Sequence, residues 1–155
     1  MQKQELIKKI AGYEIPASKL KLSRLYIVKL EREERKIFKF GKAMNVESRV
    51  KDIQKDLTDW KADLLWNSQA KGLMWLDAFT MEMEKLIHFE LRGAFEMYAN
   101  KYDDRPRGFS EMYDYNVHTD KEIVKWIEST IIAILSKKQL KSLADLPTLR
   151  GKLYA

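Results

Sequence analysis

LYIVKLEREERKIFKFGKAMNVESRV, residues 25–50, decides the fold of this 155-residue chain. Residues 24–30 are rich in β-branched and aromatic types and read as a strand. The charged run from Glu31 to Arg35 makes a solvated turn, and residues 36–41 return as a second strand closed by Gly41. The expectation is an antiparallel hairpin with a loop longer than the minimal one. Asn45 then stands where a helix N-cap belongs, with Glu47 placed favourably in the first turn. Val46, Val50, Ile53 and Leu57 supply that helix with an apolar stripe at spacings of four, three and four.

Outward from this stretch, residues 62–67 read as a third strand. A long helix is expected over 77–98, with Phe79, Met83, Leu86, Ile87, Leu91, Ala94 and Tyr98 on its core face. Residues 100–108 are polar, contain Pro106 and read as a loop. Thr119 and Glu122 form a capping box for a last helix running to about residue 138. Upstream, Leu6, Ile7 and Ile10 give residues 2–11 a helical pattern that Pro16 ends. The fold class is therefore α+β, a small three-stranded antiparallel sheet flanked by helices, with helical extensions at both ends. The division is an extension over 1–21, the main domain over 22–116, and a helix and tail over 117–155 packed on the same domain.

Bulk properties narrow the classes. Without cysteine there is no disulfide framework and no thiolate zinc site. No run reaches the ~20 apolar residues that span a bilayer, and residues 1–20 lack the apolar core of a signal peptide, so a cytoplasmic protein without membrane association is expected. The net charge of +6 is unevenly spread: +6 over residues 1–60, −3 over 61–118 and +3 over 119–155. Basic flanks about an acidic middle suit a phosphate-binding surface that also holds a metal carboxylate, although lysine-rich surfaces also serve solubility alone.

Several polar residues fall where packing would accept something blander. Glu84 lies at the edge of the apolar stripe of its helix, where a carboxylate must be hydrogen-bonded, paired or metal-bound. Glu90 lies nearer the stripe centre, so position alone does not single out Glu84. His88 follows one turn later on the Glu84 face, either as a substrate contact or as a core histidine. Arg49 flanks the stripe of the first helix, where its guanidinium either reaches a phosphate or covers the core edge with its stem. Tyr26 sits in an apolar strand, and Lys42 follows the strand-ending glycine.

Taken together, the order and spacing of these residues resembles the GIY-YIG endonuclease superfamily, and in particular its divergent phage and viral branch. Tyr26 matches the tyrosine of the first motif, Gly41 the glycine of the second, Arg49 the helix arginine and Glu84 the metal-binding glutamate. The segment GFSEMY, residues 108–113, looks like the closing segment of the divergent branch and points to Glu111. The match covers about residues 22–115. It departs from the family pattern at the second motif tyrosine, which is read as replaced by Phe40, and Asn116 stands in for the family's late asparagine.

The resemblance implies a metal-dependent nuclease that hydrolyses DNA phosphodiester bonds in the cytoplasm, phage-encoded and acting in a host cell. Glu84 would hold Mg²⁺ (or Mn²⁺), Tyr26 would orient or deprotonate water, and Arg49 and Lys42 would clamp the phosphate, with Gly41 and His88 beside the substrate. The alternative is a catalytically inactive GIY-YIG-like module that binds DNA, or a phage regulatory module that binds protein. The last helix, with Trp126, Ile127, Ile131, Ile134 and Leu135, offers a face for a homodimer or host-protein partner, or else simply joins the core.

Overall fold

A computed structural model describes residues 21–98 and 112–136. Strands β1 (Leu22–Arg32) and β2 (Arg35–Ala43) form the expected antiparallel hairpin, in register from Arg24 opposite Ala43 to Arg32 opposite Arg35. The loop is tighter than expected, only Glu33 and Glu34, because the charged residues on either side continue the ladder. Glu33 takes φ 55°, the positive value that lets a two-residue turn match strand twist.

Helix α1 (Val46–Asp56) follows, capped as expected by the Asn45 carboxamide, which accepts from the Ser48 N–H at 2.9 Å. Strand β3 (Lys61–Asn67) returns along the free edge of β1. A bulge interrupts this pairing: Val28 faces Leu64 but Ile27 faces Trp66, leaving Leu65 as the extra residue. A 3-10 turn (Ser68–Lys71) and a two-residue strand β4 (Trp75–Leu76), paired to Leu22 and Ser23, lead into α2 (Asp77–Ala94). Strand β5 (Met112–Asp114) pairs with β2, and α3 (Asp120–Ser136) ends the described chain.

The class is α+β, but among the described residues the sheet has five strands rather than three. The order is β3-β1-β2-β5, with β4 on β1, and every pairing is antiparallel. The additions are short strands that pair with the hairpin from far along the chain. β5 covers Ile37–Lys39, part of an edge that would otherwise expose unpaired amides.

Alternation along the hairpin divides the core into two layers. Leu25, Ile27, Phe38 and Phe40 face α2 and α3. Tyr26, Val28, Leu30 and Ile37 face α1, with Val46, Ile53, Leu57 and Trp60 beneath them. Ile123, Ile127, Ile131 and Ile134 of α3 are buried in the first layer, so this stripe is covered within the chain itself. Its start is the expected capping box: the Thr119 N–H donates to Glu122 at 3.0 Å, and the Glu122 N–H to the Thr119 hydroxyl at 3.2 Å.

Helix α2 stops four residues short of the expected end. After Gly93 the chain becomes extended at Phe95, whose ring packs edge-on against Phe38 and Trp126. Ala94 is consequently exposed, and Tyr98 crosses to the α1 layer, where its hydroxyl accepts from Arg35 at 2.8 Å. No helix among the described residues is long and apolar enough to cross a membrane. The expected N-terminal helix (2–11), the loop at 100–108 and the tail from 139 lie outside the described residues.

Candidate functional site

Tyr26 and Gly41 are direct cross-strand partners. A Cβ on Gly41 would lie 2.7 Å from the Tyr26 hydroxyl oxygen and 2.9 Å from Cζ, so the phenol occupies the space that a side chain at position 41 would take. This explains the glycine by close approach, and it fixes the tyrosine ring, 2 % exposed, across the end of the hairpin. Of the β2 residues beside this pair, the one on the Tyr26 face is Lys39, opposite Val28 and two residues from Gly41. Phe40 points the other way, into the layer under α2. The β2 neighbour on the face of the phenol is therefore Lys39, a half-buried cation, while Phe40 lies on the other face. Two-residue alternation counted back from Gly41 contained that signal.

Beyond Gly41 the strand opens into a cavity of about 340 Å³ whose lining includes Lys42, Ser48, Arg49, Asp52 and Asp77. It joins the two faces of the sheet, because Arg49 and Asp52 come from α1 while Asp77 begins α2. Arg49 is exposed there. Lys42 donates to the Asp77 carboxylate at 2.9 Å, with about a quarter of each side chain exposed. Burial by itself would raise the Asp77 carboxyl; the hydrogen bond from Lys42, aided by Ser23 and the charge of Lys21, outweighs it and holds the group below the usual carboxylate range. Two cations and two carboxylates thus meet at the sheet end, with Lys42 already committed to one of them.

Glu84 and His88 stand further along α2 and do not line this cavity, and neither does Tyr26. Glu84 is half-buried, between Thr80 and His88 at four-residue spacing, on the helix packed against the face opposite to α1. His88 is 6 % exposed; its Nδ1 lies 2.7 Å from the Tyr113 hydroxyl and its ring packs against Phe40 and Tyr113. That is the setting of a core histidine. Glu90 lines a separate groove with Trp126, Ser129 and Thr130. Asn116 is a turn residue at φ 51°, its N–H donating to the Asp114 carboxylate at 2.8 Å. Glu111 lies outside the described residues. The structure therefore brings Lys42 and Arg49 together at the sheet end, pairs Tyr26 with Gly41 on the strands leading to it, and carries Glu84 on the opposite layer.

As a donor set for a divalent cation, Glu84 is one carboxylate with no cluster around it: no group of three or more His, Asp or Glu side chains gathers among the described residues. Mg²⁺ retains several waters and takes one or two carboxylates together with substrate phosphate, and here the carboxylate and the phosphate cavity lie on different layers. A larger open hollow of about 770 Å³ sits at the hairpin end, among Glu31, Glu33, Asp59 and Arg32, whose guanidinium lies 4.7 Å from the Trp60 ring. None of the candidate residues lines it. Comparison of the chain with protein-family models, with curated proteins and with solved structures finds no match.

Proposed function

We propose that this chain binds nucleic-acid phosphate and cleaves DNA by a divalent-metal-dependent reaction of GIY-YIG type. The observation that carries this reading is the Tyr26–Gly41 pair, a phenol seated on a glycine at the end of a hairpin that leads directly into an arginine-bearing helix. Around it, Arg49 and Lys42 supply cationic donors for a phosphate at the sheet end, and Lys39 adds charge on the face of the phenol. Glu84 would hold Mg²⁺ or Mn²⁺, and the chemistry supplied with the ion is neutralisation of charge on the phosphate oxygens. Arg49 would stabilise charge that develops on the phosphate, and Tyr26 would orient the attacking water.

Two observations favour a second reading, a module that binds DNA without cutting it. Arg49 and Glu84 stand on helices packed on opposite faces of the sheet, and Lys42 is neutralised by Asp77. Plasmid nicking in Mg²⁺ or Mn²⁺ separates the two. On the cleavage reading wild type nicks DNA, while Arg49→Ala and Glu84→Gln lose about a hundredfold or more, the scale of one transition-state donor. Both variants keep salt-sensitive binding, because affinity rests mainly on released counterions. Binding without any nicking by wild type assigns the chain to the second reading. An absence of binding even at low salt rejects both.

A further inference from the structure

A second cavity, about 230 Å³, adjoins the phosphate cavity and shares Met44 and Asn45 with it. It is a half-open hollow, larger than a single ion would fill. Three side-chain amides, Asn45, Asn67 and Gln69, line it from separate parts of the chain, and the oxygen of each is already engaged. Asn45 accepts from the Ser48 N–H, Asn67 from the Gln69 N–H, and Gln69 from the Arg24 Nε–H, at 2.9, 2.9 and 2.8 Å. All three partners are obligate donors, so chemistry fixes which end of each amide is the oxygen, and the NH₂ group of each remains as a donor at the cavity wall. Arg24 is held in turn by the Met44 carbonyl, which ties β1 to the loop between the two cavities. Glu47 adds a single carboxylate to the lining, and Met44, 46 % exposed, offers a flat apolar contact at the shared wall.

From this arrangement we infer that the second cavity is a base-specificity pocket that takes an unpaired guanine next to the phosphate bound by Lys42 and Arg49. The inference rests on the nucleic-acid reading above. Guanine presents adjacent acceptors, O6 and N7, to NH₂ donors, and adjacent donors, N1–H and N2–H₂, to one carboxylate. Adenine lacks the donor pair that Glu47 would take, and its N6–H₂ would oppose the amide donors. Thymine and cytosine offer fewer contacts to the same set. Because the donor pair of guanine is occupied in a duplex, the base must be single-stranded or turned out of the helix.

The test uses fluorescein-labelled hexathymidylate and three versions carrying a single central dG, dA or dC, titrated with the full chain and followed by anisotropy. Wild type is expected to bind the dG oligonucleotide on the order of tenfold tighter than the other three, the discrimination of one good bidentate contact. In Glu47→Gln and in Gln69→Met the ratio of the dG to the dT dissociation constants should rise from about 0.1 to about one. Both residues are exposed, and thermal melts establish that the variants remain folded. Equal binding of all four oligonucleotides by wild type overturns the pocket while leaving phosphate binding standing. A dG preference that survives in both variants places the discrimination elsewhere and also overturns it. Binding of none at low salt removes the nucleic-acid reading and the pocket with it.

Discussion

Replacing Gly41 with alanine tests the feature on which the functional reading depends. The new methyl would meet Tyr26 at 2.7 Å from the hydroxyl oxygen, 2.9 Å from Cζ and 3.2 Å from Cε2, all inside normal contact. The ring is 2 % exposed among Val28, Ala43 and Val46, so it cannot swing aside without opening the layer under α1. Overpacking of this kind costs ~1–3 kcal/mol, and the reduced freedom of alanine in the unfolded chain returns ~0.4–1 kcal/mol. The net expectation is a loss of about 1–2 kcal/mol. At ~2–4 °C per kcal/mol for a chain of this size, that is a Tm lower by roughly 2–8 °C. Urea denaturation should show the lower midpoint with an unchanged slope. In a Tyr26→Leu background the side chain ends short of Cζ, so Gly41→Ala should there be neutral or stabilising. An equal penalty in both backgrounds would refute the close-approach explanation of the glycine.

Two further outcomes follow from the core and from the start of α3. Tyr113→Phe removes the partner of the His88 Nδ1 in a buried setting and should cost about 1–3 kcal/mol in chemical denaturation, whereas a loss under ~0.5 kcal/mol would mean that the contact contributes little. Asp120 is bonded to Lys29 at 3.0 Å and faces the Tyr115 hydroxyl. Burial raises its carboxyl, but Lys29 and Tyr115 outweigh that and hold it low, while the bond that Lys29 donates to Asp120 raises Lys29 against the opposing pull of burial. The pair therefore stabilises above the unfolded aspartate value near ~4, and this is lost as pH falls through the lower folded value. It also stabilises below the unfolded lysine value near ~10.4, and this is lost as pH rises beyond the higher folded value. Asp120→Asn should thus be less stable than wild type by about 1 kcal/mol or less near pH 7, with the gap closing at both extremes. A gap that stays constant with pH would show that the ion pair is not its source.

Features governed by neighbours along the chain were readable from the residues: Asn45 as a cap, the Thr119–Glu122 box, the α1 stripe and the pairing of two strands across Glu31–Arg35. Each is a local hydrogen bond or periodicity within a few residues. What escaped depends on distant partners. Met112–Asp114 has no strand signature in three residues, and it pairs because the β2 edge at Ile37–Lys39 lies open beside it. The stop of α2 at Ala94 follows from Phe95 finding Phe38 and Trp126, rings 57 residues upstream and 31 downstream of it. At the sheet end, the cross-strand pairing of Tyr26 with Gly41 follows from the hairpin that was readable, and strand alternation puts Lys39, not Phe40, on the face of the phenol. The amides at 45, 67 and 69 carry no motif, and only the crossing of β3 beside β1 brings them to one hollow.

The extra residue in β3 has a consequence for how this edge can change. Leu65 breaks the alternation once, so Trp66 is spent on the inner layer beside Ile27 and Asn67 arrives opposite Tyr26. Pairing all of β3 without the bulge would put Leu65 opposite Ile27, bring the Trp66 indole up against the Tyr26 phenol and move the Asn67 carboxamide one place along β1 to Leu25, whereas excising Leu65 would leave Trp66 and Asn67 where they are. The shape of the hollow thus depends on one unpaired residue that sets the register beyond it. Substitution can alter what the hollow prefers, whereas a one-residue slip of this edge would erase it.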